Sequence, residues 1–381
     1  MIKSVPIKQQ YMIVGSDYSA QEPRLTAYYA QDETMLNAYK EGKDLYAVIA
    51  SYMYDNNYAD NLEFYPEGTR IEFNGEWVTC GNKTHKNKEG AARRFSAKSV
   101  LIGMLYGRGA ASIAEQIGKS KKEAQDIVDK FFNAFPKVKK WIEDTQQSAR
   151  EKGYVEDFYG RRRRLPDINL PPFTFTINKE LNNNKFNPLL ICESSYNVED
   201  DPRVIKYKKL LNVQMSSKEI AQIQQQAENE GITIHNNKGF IAQAERQSVN
   251  ARVQGGAATL TKAAMIAIAH DEVLKELGFD LLLTVHDEVL GECPEVNAGA
   301  VGDRLSEIMI STAAKYVNVP MKCDAYAVKC WYEDEYEAAI KTQYKHLVEE
   351  DGKSPEEAFN TIVNEHIESL PEDLQKMVYN S

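Results

Sequence analysis

The chain has 381 residues, of which 43% are hydrophobic, and this is enough for a soluble protein with roughly two or three lobes and real cores. The formal net charge of −10 argues against a protein that coats nucleic acid by charge alone. No apolar run approaches the length of a membrane span, and the first ten residues lack the features of a signal peptide, so we expect a cytoplasmic protein.

The charge is unevenly distributed along the chain, and the cysteines are scattered. Cations are concentrated at Lys83–Arg94 and Arg161–Arg164, whereas acidic residues dominate beyond Glu333. Local positive faces can therefore bind phosphates on a protein that is acidic overall. The five cysteines have neither zinc-ligand spacing nor a disulfide framework, which indicates reduced thiols: Cys80, Cys192, Cys293, Cys323 and Cys330.

The first predicted element is a short apolar strand over residues 11–19 that runs into Asp17. An acid at a strand end more often caps a turn or a helix than binds a ligand. Residues 25–55 have helical spacing, interrupted at Gly42. Residues 55–90 are polar and turn-rich, and an Asn74-Gly75 turn predicts a small hairpin over residues 70–78.

Residues 93–107 predict a helix with a distinctive face. Arg94, Lys98, Ile102 and Tyr106 follow at intervals of four, so they share one slowly drifting face. Two cations and a ring in this arrangement can bind a triphosphate beside a base pair. The alternative is an ordinary amphipathic helix with a solvated basic edge.

The middle of the chain contains two helices and an insertion. Residues 111–150 predict two helices joined near Phe135-Pro136, with a capping box at Ser120–Glu123. An arginine run follows at 161–164, which in most proteins is a solvated or phosphate-contacting loop. Residues 169–240 form an insertion that includes the Asn-rich segment 181–184 and a Gln-rich helix near 217–230.

The last third contains the second conspicuous acid. A helix beginning near residue 244 and reaching about Leu277 precedes an apolar hairpin with His286 and Asp287 at its tip. Carboxylates held at such a turn suit a hard cation such as Mg²⁺. A helix at 296–316 and a strand at 321–328 follow, and the acidic tail 334–381 has a helix start at Ser354–Glu357. This tail can be a solvated cap or a partner-docking segment.

Taken in order, these segments resemble the three sequence motifs of family A DNA polymerases. Asp17 to Arg24 is similar to motif A, Arg94 to Gly107 to motif B and His286-Asp287-Glu288 to motif C. Residues 244–255 resemble the family's helix that contacts primer and template, and residues 153–168 resemble the return from fingers to palm. The resemblance implies an α+β right-hand fold with an antiparallel-sheet palm and helical fingers.

The resemblance also implies roles for individual residues. Asp17 and Asp287 would bind two Mg²⁺ ions, or Mn²⁺ as a substitute, with Glu288 supporting them. Lys98 would both bind the triphosphate and donate a catalytic proton to pyrophosphate. The dNTP-binding residues would be Arg94, Lys98, Ile102, Tyr106, Glu22 and Tyr46, and the residues on the DNA primer-template would be Arg246, Asn250, Gln254, His286, Arg161 and Arg162.

Glu22 bears on the choice of product, because family members use a Glu there to exclude ribonucleotides. This favours DNA synthesis over the alternative of a single-subunit RNA polymerase-like enzyme, which shares the Arg-x-x-x-Lys and Tyr-Gly pattern. A non-catalytic nucleic-acid-binding remnant is a further alternative, but it would not need both Asp17 and Asp287. The chain departs from the family at Ile102, where Phe or Tyr is usual, and at Tyr46, where many members have His.

The resemblance predicts a domain order as well. Residues 1–40 would be palm with motif A, 41–168 fingers, 169–240 an insertion, 241–333 palm with motif C and 334–381 a tail. Motif A lies so near the start that a thumb has no room before it, which is typical of the C-terminal part of a polymerase. A split phage gene or a truncation would explain this, and a separate chain supplying thumb and exonuclease domains is an expected partner. A phage protein would act in the bacterial host cytoplasm.

Overall fold

The computed structural model describes residues 11–73, 75–177 and 198–328, together with residues 343, 346–348, 353–354, 357–358 and 360–362. The chain forms two compact units. Unit 1 contains the first strand, Thr261–Thr312 and the last described strand, whereas unit 2 contains Ala20–Leu260 and Ala313–Met321.

Helices and strands are interspersed along the described part of the chain. The helices are α1 (Gln21–Ala30), α2 (Glu33–Lys40), α3 (Leu45–Tyr54), α4 (Lys88–Leu105), α5 (Ala110–Ile117), α6 (Lys121–Ala134), α7 (Pro136–Lys152), α8 (Pro202–Leu210), α9 (Ser217–Asn229), α10 (Lys238–Ala269), α11 (Glu272–Glu276) and α12 (Ala298–Ala313). The strands are β1 (Tyr11–Tyr18), β2 (Arg70–Phe73), β3 (Glu76–Thr79), β4 (Tyr154–Glu156), β5 (Arg162–Arg164), β6 (Phe173–Ile177), β7 (Ile232–Asn236), β8 (Asp280–Val285), β9 (Glu288–Pro294) and β10 (Cys323–Val328).

Unit 1 is built on a four-stranded antiparallel sheet in the order β10-β1-β9-β8. Helix α12 packs on this sheet, and the small residue Gly302 permits the approach, because a Cβ there would lie 3.2 Å from Ala325. The Tyr18 hydroxyl donates to the Met309 carbonyl at 2.8 Å and ties β1 to the same helix. The sheet thereby holds the ends of β1 and β9 in a fixed register.

The predicted hairpin of unit 1 is confirmed, with His286 and Asp287 as the turn between β8 and β9. Its strands are not equally buried, however. Val289 and Leu290 on the central strand β9 are buried, whereas Leu282 on the edge strand β8 is 49% exposed. Only the β9 side of the hairpin therefore provides the buried support that the apolar sequence predicts.

The helix after residue 244 differs from the prediction at its C-terminal end. It ends at Ala269, and the shorter helix α11 begins at Glu272. The Asp271 carboxylate accepts from the backbone N–H of Leu274 and pairs with Arg304 at 2.6 Å. An aspartate in this capping geometry begins a new helix.

Unit 2 is mainly helical. Residues 25–55 form three helices, and Gly42, with φ +67°, lies in the turn between α2 and α3 as expected. The predicted capping box at Ser120 and Glu123 is confirmed at the start of α6. Residues 111–150 differ from the prediction, because α5 precedes α6 and α7. The junction at Phe135-Pro136 is as predicted, with Pro136 in the first turn of α7.

Two predicted insertions contain regular structure. Strands β2 and β3 form the expected hairpin, whose Asn74 lies outside the described residues. In the second insertion, β6 pairs with β7, and α9 confirms the Gln-rich helix. A separate buried cluster, which the sequence analysis did not foresee, supports this region: Phe175, Val204, Tyr207, Ala227, Ile232 and Ile234.

Several expectations fall wholly or partly outside the described residues, namely the Asn-rich segment 181–184, Cys192, Cys330 and most of the tail. Within the tail, Ser354 and Glu357 exchange the hydrogen bonds of a helix start. Cys80, Cys293 and Cys323 are free thiols. Among the helices that the structure describes, none is long and apolar enough to cross a membrane.

Candidate active site

The sequence-predicted site residues are divided between the two units. Unit 1 contains Asp17, His286, Asp287 and Glu288, and unit 2 contains the predicted residues from Glu22 to Gln254.

In unit 1, four carboxylates converge where β1 meets its neighbours. Asp17 is paired with Glu288 of β9 on one side and with Asp324 of β10 on the other. Directly opposed residues of antiparallel strands lie on the same face of the sheet. The fourth acid, Asp287, comes from the adjoining turn and hydrogen-bonds to Asp17. Asp324 was missed by the sequence analysis, because only strand register brings it to this row.

Burial raises the pKa of both Asp17 and Asp287, and the close approach of the other acids in this row raises that of Asp17 further. Burial, followed by the charges of Asp287 and Glu288, raises the pKa of Asp17 from 3.8 to about 7. Burial also raises the pKa of Asp287, against the opposing effects of its backbone hydrogen bond and of the hydrogen bond to Asp17. Two carboxylates this close share a proton, which resides on Asp17.

This pair fits a divalent cation. Mg²⁺ prefers oxygen ligands and is commonly bound through one or two carboxylates together with substrate phosphates. A cation would also relieve the repulsion that the shared proton now offsets. Across the described ranges 11–73, 75–177 and 198–328, no three His, Cys, Asp or Glu side chains form a ready-made metal cluster. Asp17 and Asp287, which hydrogen-bond to each other, are the residues of this row that could hold such an ion.

The turn that holds Asp287 has an unusual backbone. His286 has φ 56°, in the left-handed region that residues other than glycine rarely adopt. The ladder from Val285–Glu288 through Asp280–Glu292 holds the turn in place. Such strained residues cluster at functional sites, although strain alone does not define one. His286 itself is exposed.

In unit 2, α4 presents the predicted basic face. Its buried residues include Ala97, Leu101 and Leu105, whereas Lys98 is exposed and Ile102 is half-buried. The helix begins earlier than predicted, at Lys88, and ends at Leu105. Tyr106 therefore lies at the C-cap instead of inside the helix.

Arg94 is held by residues at the start of α3. Its Nε lies 2.5 Å from Asp44 Oδ2, and its guanidinium lies 5.2 Å from the centre of the Tyr46 ring. Asp44 also caps α3 by accepting from the N–H groups of Tyr46 and Ala47. Tyr46 is buried, and the Arg94 guanidinium lies over its ring. Asp44 is a second residue that the sequence analysis did not single out.

Three predicted residues from distant segments meet in a hydrogen-bond chain. Gln254 Nε2 donates to the Tyr106 hydroxyl at 2.5 Å, and that hydroxyl lies 3.4 Å from Glu22 Oε1. Glu22 lies in the first turn of α1. These two hydrogen bonds join Glu22, the predicted sugar-selecting acid, to the helix that would contact DNA.

The glycine after Tyr106 is required by both conformation and space. Gly107 has φ +65°, and a Cβ there would lie 2.1 Å from Cγ of Arg246. Arg246 projects from α10 and is exposed. The Tyr-Gly pair therefore lets the end of α4 pack against the arginine.

A cleft of about 460 Å³ in unit 2 gathers further predicted residues. Arg161 and Arg162 line it together with Asn250 and Gln254 of α10, and the sequence analysis did not foresee that Arg163 and Gln247 line it too. Arginines beside amide side chains suit a phosphate backbone and base edges.

The arginine loop of this cleft is held by Asp157. This carboxylate is 8% exposed and accepts from the N–H groups of Tyr159 and Arg161, while Thr259 donates to its second oxygen at 2.7 Å. Arg162 is in turn paired with Glu156 at 2.6 Å. The sequence did not single out Asp157, whose contact with Thr259 joins segments 102 residues apart.

Comparisons with known proteins agree with this architecture. DNA polymerase I, thermostable, from Thermus filiformis is 26% identical over 331 residues, which are 87% of this chain and 28% of that protein. DNA polymerase I of Streptococcus pneumoniae is 26% identical over 331 residues, covering 86% of this chain and 27% of the relative. The chain thus spans about a quarter of the length of the curated relatives it matches.

A solved structure, the POL domain of Pol1 from M. smegmatis in complex with DNA primer-template and dNTP, has a TM-score of 0.56 and 22% sequence identity. It is matched by 85% of this chain over 41% of its own length, which shows a shared α+β fold. The family model of DNA polymerase family A matches residues 79–184 and 199–333. These residues make up more than half of the sequence, and the chain therefore belongs to DNA polymerase family A.

Proposed function

We propose that this chain carries out template-directed DNA synthesis, transferring nucleotides from dNTPs to a primer 3′-OH. The observation that carries the proposal is the proton-sharing pair of Asp17 and Asp287. Family membership gives the pair its context, since the matched part of the chain, residues 79–184 and 199–333, includes Asp287. A structural role would be met more simply by one carboxylate, because a close acid pair is destabilising without a cation.

Asp17 and Asp287 would hold Mg²⁺, or Mn²⁺ in its place. When bound, divalent ions lower the charge on the attacking and leaving oxygens of a nucleotidyl transfer. The protein must first release the proton that Asp17 holds, so ion binding and deprotonation are coupled. The Glu288 carboxylate, beside Asp17 in the sheet, would stay in a supporting position.

Arg94 and Lys98 would bind the triphosphate of the incoming nucleotide. Phosphoryl transfer asks a protein mainly for positioning and charge neutralisation. Asp44 and Tyr46 orient Arg94 before a nucleotide arrives, whereas Lys98 is exposed and can reach a phosphate and give it a proton. Ile102, half-buried one turn further along α4, would contact the sugar or base.

The Glu22–Tyr106–Gln254 chain would select the sugar. The Glu22 carboxylate is held by Tyr106, so it would crowd a ribose 2′-hydroxyl and leave a deoxyribose unhindered. Because this constraint disfavours rNTPs, a DNA product is favoured over RNA.

The cleft with Arg161, Arg162, Asn250 and Gln254 would bind the primer-template duplex. Arginine contacts to phosphates fix position without reading sequence, as a polymerase requires. Arg246 and His286, which are both exposed, would add contacts to the primer. A phage origin and a separate chain with thumb and exonuclease domains also belong to this proposal.

Primer extension on a DNA template with Mg²⁺, using this chain alone, tests the proposal. Asp287→Asn is the test variant, and Asp303→Asn, an exposed acid of α12 in the same unit, is the matched control. We expect dNTP-dependent extension that Asp287→Asn abolishes and Asp303→Asn preserves. Preference for rNTPs would overturn the sugar argument. Extension that survives Asp287→Asn would overturn the metal assignment.

Extension by this chain only after a polymerase-domain partner is added would favour the half-enzyme form of the proposal. Binding of primer-template without extension under any condition would favour the non-catalytic alternative.

A further inference from the structure

Tyr326 lies on the same face of the sheet as the acidic row of unit 1. On β10 it follows Asp324 by two residues, and alternate residues of a strand share a face. Asp324 is paired with Asp17, and Tyr326 is paired with Gly15 on the same strand β1. Tyr326 therefore lies on the acidic face of the sheet, two residues along β10 from Asp324.

Gly15 provides the room that the tyrosine ring occupies. A Cβ at Gly15 would lie 2.5 Å from Cζ of Tyr326 and 2.6 Å from its hydroxyl oxygen. Gly15 is not among the residues with positive φ, so the backbone conformation does not require a glycine there. The ring lies directly over Gly15 and crosses β1 at this point.

By crossing β1, the ring reaches the strand on the other side. The Tyr326 hydroxyl donates to Oε1 of Glu288, which belongs to β9. Glu288 is in turn the partner of Asp17 in the β1–β9 ladder. One hydrogen bond thus spans three strands and ends on the carboxylate next to the proposed metal ligand.

We propose that Tyr326 is a positioning residue for the metal site: its hydroxyl holds the Glu288 carboxylate and disperses part of its charge, leaving Asp17 and Asp287 to bind a divalent cation. Groups that orient or support ligands from outside contribute about 10- to 100-fold to metal affinity or activity. The catalytic part of this inference rests on the proposed function, whereas the effect on metal affinity does not.

The chemistry favours a hydroxyl over an apolar side chain at this position. Glu288 is half-buried beside three other carboxylates, and an unsatisfied carboxylate there would be repelled by its neighbours. A charge-assisted hydrogen bond from a phenol fixes such a group more firmly than a bond between neutral groups. Without it, Glu288 would be free to take other rotamers and disturb the ligand pair.

The first test is Mn²⁺ binding to the full chain without DNA or nucleotide, followed by the electron paramagnetic resonance of free Mn²⁺. We expect Tyr326→Phe, which removes only the hydroxyl, to weaken binding by about tenfold. Gly15→Ala should give a similar loss, because the new methyl group displaces the ring. The controls are Tyr52→Phe, an exposed tyrosine of α3, and Gly299→Ala, where a Cβ meets nothing within 4 Å. Both should bind like the wild type.

The second test separates positioning from folding. The Mg²⁺ concentration for half-maximal primer extension should rise with Tyr326→Phe, while the KM for dNTP at saturating Mg²⁺ and the melting temperature stay near the wild-type values. High Mg²⁺ should restore the rate. A purely structural tyrosine would instead lower the melting temperature and would not be rescued by the ion.

The inference is overturned if Tyr326→Phe binds Mn²⁺ like the wild type, or if the wild type binds none. Weaker Mn²⁺ binding by Tyr326→Phe in a chain that never extends a primer would support the inference and count against the proposed function. If Tyr326→Phe synthesises DNA normally with an unchanged Mg²⁺ dependence, the inference is overturned and the proposed function is supported.

Discussion

Removing the charge of Asp17 is expected to stabilise the metal-free protein while abolishing its activity. The folded state raises the pKa of Asp17 from 3.8 to about 7, because burial and the neighbouring acids oppose its charge. Between these two values the folded chain holds a proton that the unfolded chain has released. Stability therefore falls as the pH rises from about 4 to about 7, and Asp17→Asn should remove this loss.

The size of the effect follows from the same pKa. A rise from 3.8 to about 7 corresponds to an upper limit of about 4 kcal/mol at pH above 7. Asp17 is only half-buried, so solvent screening lowers the expected gain to about 1–2 kcal/mol. Asparagine preserves the shape of the side chain and can still donate a hydrogen bond to Asp287, which limits any loss of packing.

Urea unfolding in EDTA at pH 4, 6 and 8 measures the difference between Asp17→Asn and the wild type, with Asp303→Asn as the control. The free-energy gain should be near zero at pH 4 and largest at pH 8. Adding Mg²⁺ should stabilise the wild type and leave Asp17→Asn unchanged, since ligands that bind only the folded state add stability. Primer extension on the same samples should be lost.

Two results would refute this reasoning. A variant that is less stable than the wild type at pH 8 would mean that Asp17 is bound by favourable contacts instead of repelled by its neighbours. A gain that does not change with pH would mean that the effect has another origin than ionisation. Either result would also weaken the proposed metal site.

Three further substitutions test unit 2. Gly107→Ala should destabilise the chain by about 1–2 kcal/mol, because φ is +65° and the methyl group would meet Arg246 at 2.1 Å; thermal unfolding measures this. Asp157→Asn should weaken primer-template binding by about 1 kcal/mol, or about fivefold in Kd, because the acceptor of the Arg161 N–H loses its charge and Thr259 loses its acceptor; fluorescence anisotropy measures this. Glu22→Ala should raise the ratio of rNTP to dNTP kcat/KM by about tenfold, as expected when one repulsive contact of about 1.4 kcal/mol is removed; single-nucleotide incorporation measures this.

Each of these expectations has a clear opposite outcome. Gly118→Ala shares the positive φ of Gly107 but meets nothing within 4 Å, so an equal loss there would deny any role to the contact with Arg246. Unchanged DNA binding by Asp157→Asn would separate the arginine loop from the duplex. An unchanged nucleotide ratio in Glu22→Ala would assign sugar selection to other residues.

Local sequence patterns were sufficient for much of the fold. The apolar run before Asp17 predicts β1, the spacing of Arg94, Lys98 and Ile102 predicts a helix at α4, and the capping residues predict the start of α6. These signals are read within a few residues, because helix and strand periods are short. The prediction was wrong at Ala269, where α10 ends, although the Asp271 cap that begins α11 is itself a local signal.

The residues around the candidate site depended on contacts that no local pattern contains. Strand register places Asp324 and Tyr326 beside Asp17, although about 300 positions separate them in sequence. Asp157 reaches Thr259 across 102 residues, and Gly15 is explained only by the ring that lies over it. The sequence by itself predicted which residues would carry the chemistry and most of the elements that hold them. Tertiary structure decided their neighbours, because pairing register and side-chain packing depend on segments that meet only after the chain has folded.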